Sequence, residues 1–314
     1  MSEGPAATGR EPRSELVPAL ALVLVTVFYG STFRIVQGSI EDVTPWGFLV
    51  LRFAIGSIAL APFVIGRTWS RPGVPATRAR FIGASVVFGV LSFVGLAFQT
   101  VGLQYTSTSN SAFITGLFVV FTPILAVVTT RVLPAARVAI AVLIAVLGLF
   151  FLEGGSFALG WGDGLTLLAA IAFAAWILMA GTASLRYDPI VLTVVQLVTV
   201  FVLSVPCALV AGMGEVSGAA IRGALLTGLF ATAAAFSLQF WAQRYVEPTR
   251  AAVILLFEPV VAGVLGYAAG ERIGFSGYTG AALILVGILV AESRSWRTLR
   301  LAREAVRRGE SGAL

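Results

Sequence analysis

The sequence predicts an all-α polytopic membrane protein whose ten transmembrane helices form two inverted five-helix repeats. The first observation is composition: 58% of the 314 residues are hydrophobic and only 11% are charged. Soluble domains average about 45–50% apolar and about 25% charged residues, so the mean hydropathy of +0.96 indicates that lipid covers the surface. The other two observations are regularly spaced apolar segments and an internal repeat.

Apolar segments separated by short polar breaks predict the ten helices. They cover residues 16–36, 46–66, 80–102, 109–130, 135–152, 163–184, 189–211, 221–241, 249–269 and 275–292. Crossing about 30 Å of hydrocarbon takes roughly 20 residues at 1.5 Å per residue. Most segments reach that length, and the short fifth and tenth still suffice. Residues 1–15 are polar and are predicted to be disordered.

The arginines predict the orientation in the membrane, because cytoplasmic loops carry an excess of basic residues. With the N-terminus inside, 17 of the 21 basic residues lie on the inner side, and Arg52 lies within a helix. The remaining arginines, on the outer side, are Arg34, Arg222 and Arg272. We therefore expect a multi-pass protein of the cytoplasmic (inner) membrane with both termini cytoplasmic. The basic tail, 293–314, is expected to be a helix on the inner leaflet or a disordered segment.

Missing residue types exclude several classes of function. The chain has no Lys, so it lacks the phosphate-binding loop of ATP-driven motors. It has no His, which removes His-based catalytic triads, His zinc sites and haem ligation. We expect no enzymatic activity, no cofactor, no metal and no nucleic-acid partner. The expected partners are a small-molecule solute and membrane lipid, with the chain a monomer or a homodimer.

An internal repeat relates the two halves of the chain, 16–152 and 163–292. Equivalent residues recur about 140 positions apart: Gln99 and Gln239, Tyr105 and Tyr245, Ala112 and Ala252, Pro62 and Pro206, and Gly148 and Gly287. Each half has an odd number of spans, so the second half enters the membrane from the opposite side. Inverted repeats of this kind are typical of secondary transporters, which alternate access to a site near the midplane.

Several short motifs occur along the two halves. They are Tyr29-Gly30-Ser31-Thr32-Phe33, Arg52-Phe53, Gly102-Leu103-Gln104-Tyr105-Thr106, Gly162-Asp163, Trp176, Glu258-Pro259 and Gly270-Glu271-Arg272. Taken together they resemble the EamA type of ten-helix transporter in the drug/metabolite transporter superfamily, over about residues 16–292. The resemblance implies export of amino acids or related metabolites. One departure is Thr130-Arg131, where the family carries Gly-Glu.

Glu258 is the strongest single candidate for a functional residue. It lies nine residues into its span, about 14 Å deep at the helical rise, where an acid costs on the order of 2.5–3.5 kcal/mol. It would bind a substrate amine or relay a proton. The alternative is a structural acid that is protonated or paired. Pro259 follows it, and Pro123 is the approximate counterpart in the other half; the two prolines predict helix breaks at the site.

Arg52 lies about 9 Å below the outer boundary of its span by the same rise. Its long side chain could reach the interface by snorkelling, which is the structural interpretation. The functional interpretation has it neutralise Glu258 or bind a substrate carboxylate.

The remaining candidates are polar amides and aromatic side chains within the spans. The amides are Gln99, Gln239 and Asn110, which would line the cavity or hydrogen-bond between helices. The aromatic candidates are Tyr29, Phe33, Trp176 and Trp241, which would contact an apolar solute or face lipid.

Two classes of function remain open. The first is a secondary transporter, driven by the solute gradient or by protons. The second is a lipid-handling or regulatory membrane protein that uses the same scaffold without moving a solute. A broad groove facing lipid would favour the second class, and a closed central cavity would favour the first.

Overall fold

The structure is a computed structural model that describes residues 16–70, 77–106, 108–131, 133–152, 160–268 and 274–307. These described residues form ten helical spans. The first five spans are Leu16–Ser39, Pro45–Leu60 with a 3-10 turn Ala61–Val64, Arg78–Gly102, Thr108–Gly116 with Phe118–Thr130, and Ala136–Leu152. The second five are Trp161–Ala183, Pro189–Ala211, Gly218–Leu226 with a π-helix Thr227–Ala234 and Ala235–Ala242, Pro248–Leu255 with Glu258–Ala268, and Phe275–Arg307.

The predicted ten-helix fold is confirmed, with the limits of the first nine spans within a few residues of those expected. Eight helices of the described residues are long and apolar enough to cross a membrane. The fifth and tenth spans have shorter apolar stretches, Ala136–Phe151 and Phe275–Ala291. The tenth helix continues without interruption to Arg307, so the first part of the basic tail is helical. The predicted disorder of residues 1–15 lies outside the described residues.

The two halves interleave instead of lying side by side. The first span packs against the eighth and ninth, and the sixth packs in the equivalent way against the third and fourth. The second span packs on the seventh, and the fifth on the tenth. Exchanging the two halves converts the contacts of the first span into those of the sixth. It leaves the contact between the second and seventh spans and the contact between the fifth and tenth unchanged. The inverted repeat is therefore present in the packing as well as in the sequence.

The second and seventh spans begin with equivalent caps. The Thr44 hydroxyl accepts a hydrogen bond from the Gly47 amide at 3.1 Å, and Pro45 follows it. The Asp188 carboxylate accepts from the Ile190 and Val191 amides at 2.9 and 3.2 Å, and a proline follows it as well. A capping side chain accepts hydrogen bonds from amides of the first helical turn, which have no partner within the helix. Proline is tolerated at the first helical position because the amide hydrogen that it lacks would have no helical partner there.

Two short antiparallel contacts, here called the clasps, tie the second and seventh spans together at both ends. The first clasp pairs Val43 with Gly214, and the second pairs Ser70 with Tyr187. Each is extended by a hydrogen bond, from the Thr44 amide to the Met213 carbonyl at 3.0 Å and from the Asp188 amide to the Trp69 carbonyl at 3.2 Å. Equivalent members of the clasps are 144 positions apart, so the repeat extends into the loops.

The fourth and ninth spans are both broken, at positions 140 residues apart. At each break a backbone amide donates its hydrogen bond to the carbonyl three residues earlier instead of four. Leu117 donates to the Ile114 carbonyl at 3.1 Å, and Phe257 donates to the Ile254 carbonyl at 3.0 Å. Pro259 lies in the first turn of Glu258–Ala268, where a missing amide costs no helical hydrogen bond. The expectation that Pro123 marks a break is wrong, because Pro123 lies inside Phe118–Thr130, six residues after Leu117.

Glycines allow the fifth and tenth spans to pack backbone to backbone. A Cβ at Gly148 would lie 2.7 Å from the Ile284 amide nitrogen and 2.8 Å from the Gly280 carbonyl oxygen. A Cβ at Gly287 would lie 3.0 Å from the Ala141 carbonyl oxygen. Small residues at such crossings let helices approach closely in membranes, where packing and not hydrophobicity drives association.

We expect Gly148→Ala to lower the apparent melting temperature of the detergent-purified protein by several degrees. The added methyl group meets backbone atoms that cannot rotate away, and overpacking of this kind costs about 1–3 kcal/mol. The matched control is Gly83→Ala, where a Cβ would have nothing within 4 Å. Equal melting temperatures for the two variants would contradict the close packing of these two spans.

Candidate functional site

A cavity of about 70 Å³ lies between the two halves, near the breaks in the fourth and ninth spans. One water molecule needs roughly 10–15 Å³ on the same measure, so the cavity has room for roughly five to seven water molecules. Its lining comes from seven spans: Tyr29, Thr32, Arg52, Leu96, Gln99, Thr115, Phe118, Phe173, Trp176, Ile177, Phe236, Gln239, Leu255 and Glu258.

The structure brings six of the predicted site residues together around this cavity. They are Tyr29, Arg52, Gln99, Trp176, Gln239 and Glu258. Phe33 is buried in a separate cluster with Val36 and Phe48, and Trp241 makes an edge-to-face contact with Tyr245 at 5.6 Å between ring centroids. Neither reaches the cavity. Pro123 and Pro259 do not line it, and the Asn110 side chain lies outside what the structure describes.

Glu258 begins the second piece of the ninth span, directly after the break. Its side chain is 9% exposed and lines the cavity, and among the described residues no hydrogen bond or ion pair to its carboxyl group is found. The backbone here lies close to the first span, because a Cβ at Gly30 would be 2.6 Å from the Glu258 carbonyl oxygen. The break and this glycine together place the carboxyl group at the cavity.

The second buried acid, Asp163, shows what a structural acid looks like in this fold. It is 4% exposed, and its carboxylate accepts hydrogen bonds from the Gly160 amide at 2.8 Å and the Thr106 hydroxyl at 2.5 Å. These contacts cap the sixth span and join it to the end of the third. Both carboxylate oxygens of Asp163 thus have hydrogen-bond partners within the protein. The Glu258 carboxyl group has none among the described residues, so it could bind a ligand.

Arg52 points inward, so of its two interpretations the structural one, in which it snorkels to the interface, is wrong. Its side chain is 4% exposed. Its Nε donates to the Thr232 hydroxyl at 2.7 Å and its Nη2 to the Ala231 carbonyl at 3.5 Å. Both acceptors belong to the π-helix of the eighth span, a rare geometry that is frequent at functional sites. These acceptors hold the guanidinium at the cavity, and among the described residues it forms no ion pair with Glu258.

The two symmetric glutamines make different hydrogen bonds. The Tyr29 hydroxyl donates to Gln239 Oε1 at 2.8 Å, which ties the first span to the eighth. Gln99 Nε2 donates to the Thr115 hydroxyl at 3.0 Å, within the first half. Each amide group therefore keeps one polar atom for which the described residues show no protein partner: Nε2 of Gln239 and Oε1 of Gln99.

Trp176 anchors the aromatic part of the lining. Its indole Nε1 donates to Gln196 Oε1 at 3.0 Å, and its ring lies 5.4 Å from Phe236 and 4.7 Å from Phe240 between centroids. Buried Trp side chains usually find a partner for this N–H group. With that group satisfied by Gln196, the ring offers only hydrocarbon to the cavity.

Sequence reasoning missed eight lining residues, of which the repeat could have found three, namely the partners of Tyr29, Trp176 and Glu258. Twelve of the fourteen lining residues form symmetric pairs, 144 positions apart in the first and sixth spans and 140 apart elsewhere. The pairs are Tyr29 and Phe173, Thr32 and Trp176, Leu96 and Phe236, Gln99 and Gln239, Thr115 and Leu255, and Phe118 and Glu258. The cavity therefore lies where equivalent parts of the two halves meet.

The described residues contain no group of three or more His, Cys, Asp or Glu side chains that could hold a metal ion.

Ten apolar spans in two interleaved halves around a buried polar cavity are the architecture of a membrane transporter. The model of the EamA-like transporter family matches the chain twice, over residues 16–153 and 160–292. The chain belongs to the EamA-like transporter family.

Related proteins agree with this assignment. A protein of Archaeoglobus fulgidus named an uncharacterized transporter is 34% identical over 288 residues, which cover 91% of this chain and 89% of the relative. A second uncharacterized transporter from the same organism is 25% identical over 275 residues, covering 86% and 97%. One solved crystal structure superposes with a TM-score of 0.72 at 16% identity, covering 88% of this chain and 98% of the other. That likeness shows the fold alone.

Proposed function

We propose that this protein is a secondary transporter that exports amino acids or related small metabolites across the cytoplasmic membrane by alternating access, coupled to protons. The observation that carries the proposal is Glu258, a buried acid at the cavity whose carboxyl group has no partner among the described residues. Intramembrane acids are costly and mark substrate and proton pathways. The excess of arginines in the predicted inner loops supports placing both termini in the cytoplasm.

The position of the cavity supports alternating access. Both halves contribute to the lining, and the lining residues are related in pairs by the repeat. Rocking of one half against the other around such a site would expose it to each side in turn. A single carboxylate can bind either a proton or the ammonium group of a solute, but not both at the same time. Exclusive occupancy of one site is what an exchange of proton for solute requires.

The lining also favours a solute over a lipid as the cargo. Arg52, Gln239 and Glu258 are all less than one tenth exposed, so they are not on a lipid-facing surface. A lipid-handling protein would offer its polar groups along a groove that reaches the bilayer.

Transport by the purified protein in liposomes tests the proposal. We expect radiolabelled amino acids to accumulate when a pH gradient is imposed, and to stop accumulating when an ionophore collapses that gradient. Empty liposomes are the control, and a parallel assay with fluorescent phospholipid tests lipid movement. Solute flux that ignores the pH gradient would refute proton coupling. Absence of any solute flux, with movement of the labelled lipid, would refute the transporter assignment in favour of lipid handling.

A further inference from the structure

Symmetric positions of the two halves carry different chemical groups in the cavity. In three of the symmetric pairs the first-half residue has a hydroxyl group and its second-half counterpart has none. These pairs are Tyr29 and Phe173, Thr32 and Trp176, and Thr115 and Leu255. The cavity is symmetric in position and asymmetric in chemistry, so a solute inside it has a preferred orientation.

The apolar wall comes from the sixth and eighth spans. Phe173, Trp176, Ile177 and Phe236 line it, and the rings of Trp176 and Phe236 lie 5.4 Å apart between centroids. Aromatic rings offer large contact areas to apolar groups. This wall suits a hydrocarbon or aromatic side group of a solute.

The polar part of the cavity contains one carboxyl group and one guanidinium. Gly30 holds Glu258 against the first span, beside Tyr29. Arg52 is held by its hydrogen bonds to Thr232 and Ala231 of the eighth span. Arg cannot lose its proton in a protein, and its planar fork matches a carboxylate. Because the two charged groups do not pair with each other, each can accept a solute group of opposite charge.

We infer that the cavity binds a zwitterionic solute with an apolar side group in one fixed orientation, its ammonium at Glu258, its carboxylate at Arg52 and its side group on Phe173, Trp176 and Phe236. The inference rests on the proposed function and assigns the recognition of each solute group to named residues. Solutes with a net charge are excluded because an additional charged group would lie on the aromatic wall.

Binding of radiolabelled leucine to the purified protein, measured by equilibrium dialysis with unlabelled competitors, tests the inference. Isoamylamine is leucine without its carboxylate, and 4-methylpentanoate is leucine without its ammonium. We expect each to bind at least about tenfold more weakly than leucine, since each leaves one buried charge without a partner. Lysine and glutamate should also compete poorly.

Two substitutions should affect opposite halves of the ligand. Glu258→Gln should weaken leucine and isoamylamine by about tenfold or more, and should strengthen 4-methylpentanoate because no buried charge is then left without a partner. For the same reason Arg52→Gln should weaken leucine and 4-methylpentanoate and strengthen isoamylamine. Gln is chosen because the symmetric residue in the seventh span is Gln196. Arg52→Lys retains the charge, so it should retain the preference for a carboxylate and provides a second variant if Arg52→Gln does not fold.

A third substitution tests whether the aromatic wall contacts the side group of the solute. Phe173→Ala should reduce the preference for leucine over alanine without changing the preference for leucine over isoamylamine. Equal weakening of all ligands by the two charge substitutions would overturn the inference, as would competition by lysine as strong as that by leucine. If leucine binds with this pattern but is not moved in liposomes, the proposed function fails and the binding assignment stands.

Discussion

Replacing Glu258 with Gln should reduce pH-driven transport by at least about tenfold, to the level of empty liposomes, while the protein still inserts and folds. Gln has the shape of Glu and cannot take up or release a proton. It also removes the cost of an acid in the bilayer, on the order of 2.5–3.5 kcal/mol, so insertion should not suffer. Flux in liposomes with an imposed pH gradient, measured over a range of external pH, is the readout.

Glu247→Gln is the matched control for this substitution. Glu247 is an exposed acid at the start of the same span, and its side chain makes no capping hydrogen bond. It should leave flux and its pH dependence unaltered. If Glu258→Gln also retains the flux and the pH dependence of the parent protein, Glu258 does not relay protons.

Gly30→Ala should disable the protein more severely than its single added methyl group suggests. A Cβ at this position would lie 2.6 Å from the Glu258 carbonyl oxygen and 2.9 Å from the Val261 Cβ. Neither atom can turn away, so the first and ninth spans must separate and carry Tyr29 and Glu258 apart. We expect loss of ligand binding together with a destabilisation of about 1–3 kcal/mol, the usual cost of overpacking.

Gly38→Ala provides the comparison within the same helix. A Cβ there would have nothing within 4 Å, and alanine is favoured over glycine in helices by about 0.5–1 kcal/mol. Thermal unfolding of the two purified variants should therefore move in opposite directions. A Gly30→Ala protein that binds leucine and unfolds like the parent would show that the first and ninth spans are not closely packed at the cavity.

Most of the fold could be predicted because the bilayer limits the possibilities. Each span must be about 20 apolar residues long and helical, and hydropathy alone located all ten. The inversion followed from the odd number of spans in each half. Hydropathy could not show that the second and seventh spans are tied at both ends, since the clasps consist of main-chain contacts between loops with little sequence signal.

The site was predictable where a polar residue stands alone in an apolar span. Glu258 and the two glutamines were found in this way, and the structure places all three at one cavity. The direction of Arg52 was not predictable, because it depends on the Thr232 hydroxyl and a π-helical carbonyl in a distant span. The prolines predict the break in the fourth span at the wrong residue. The two breaks are 140 residues apart, as the repeat requires, whereas Pro123 and Pro259 are four residues closer together than that.

The unequal hydrogen bonds of the two glutamines bear on how the states of the proposed transport cycle are populated. The first and eighth spans are joined by the bond from Tyr29 to Gln239, whereas the equivalent positions of the sixth and third spans carry Phe173 and Gln99, and Phe173 has no hydroxyl to donate. In the proposed alternating-access cycle, separating the first pair of spans breaks a hydrogen bond that separating the second pair does not. Such bonds average about 0.6 kcal/mol in membranes, which corresponds to roughly a threefold difference in population between the two open states.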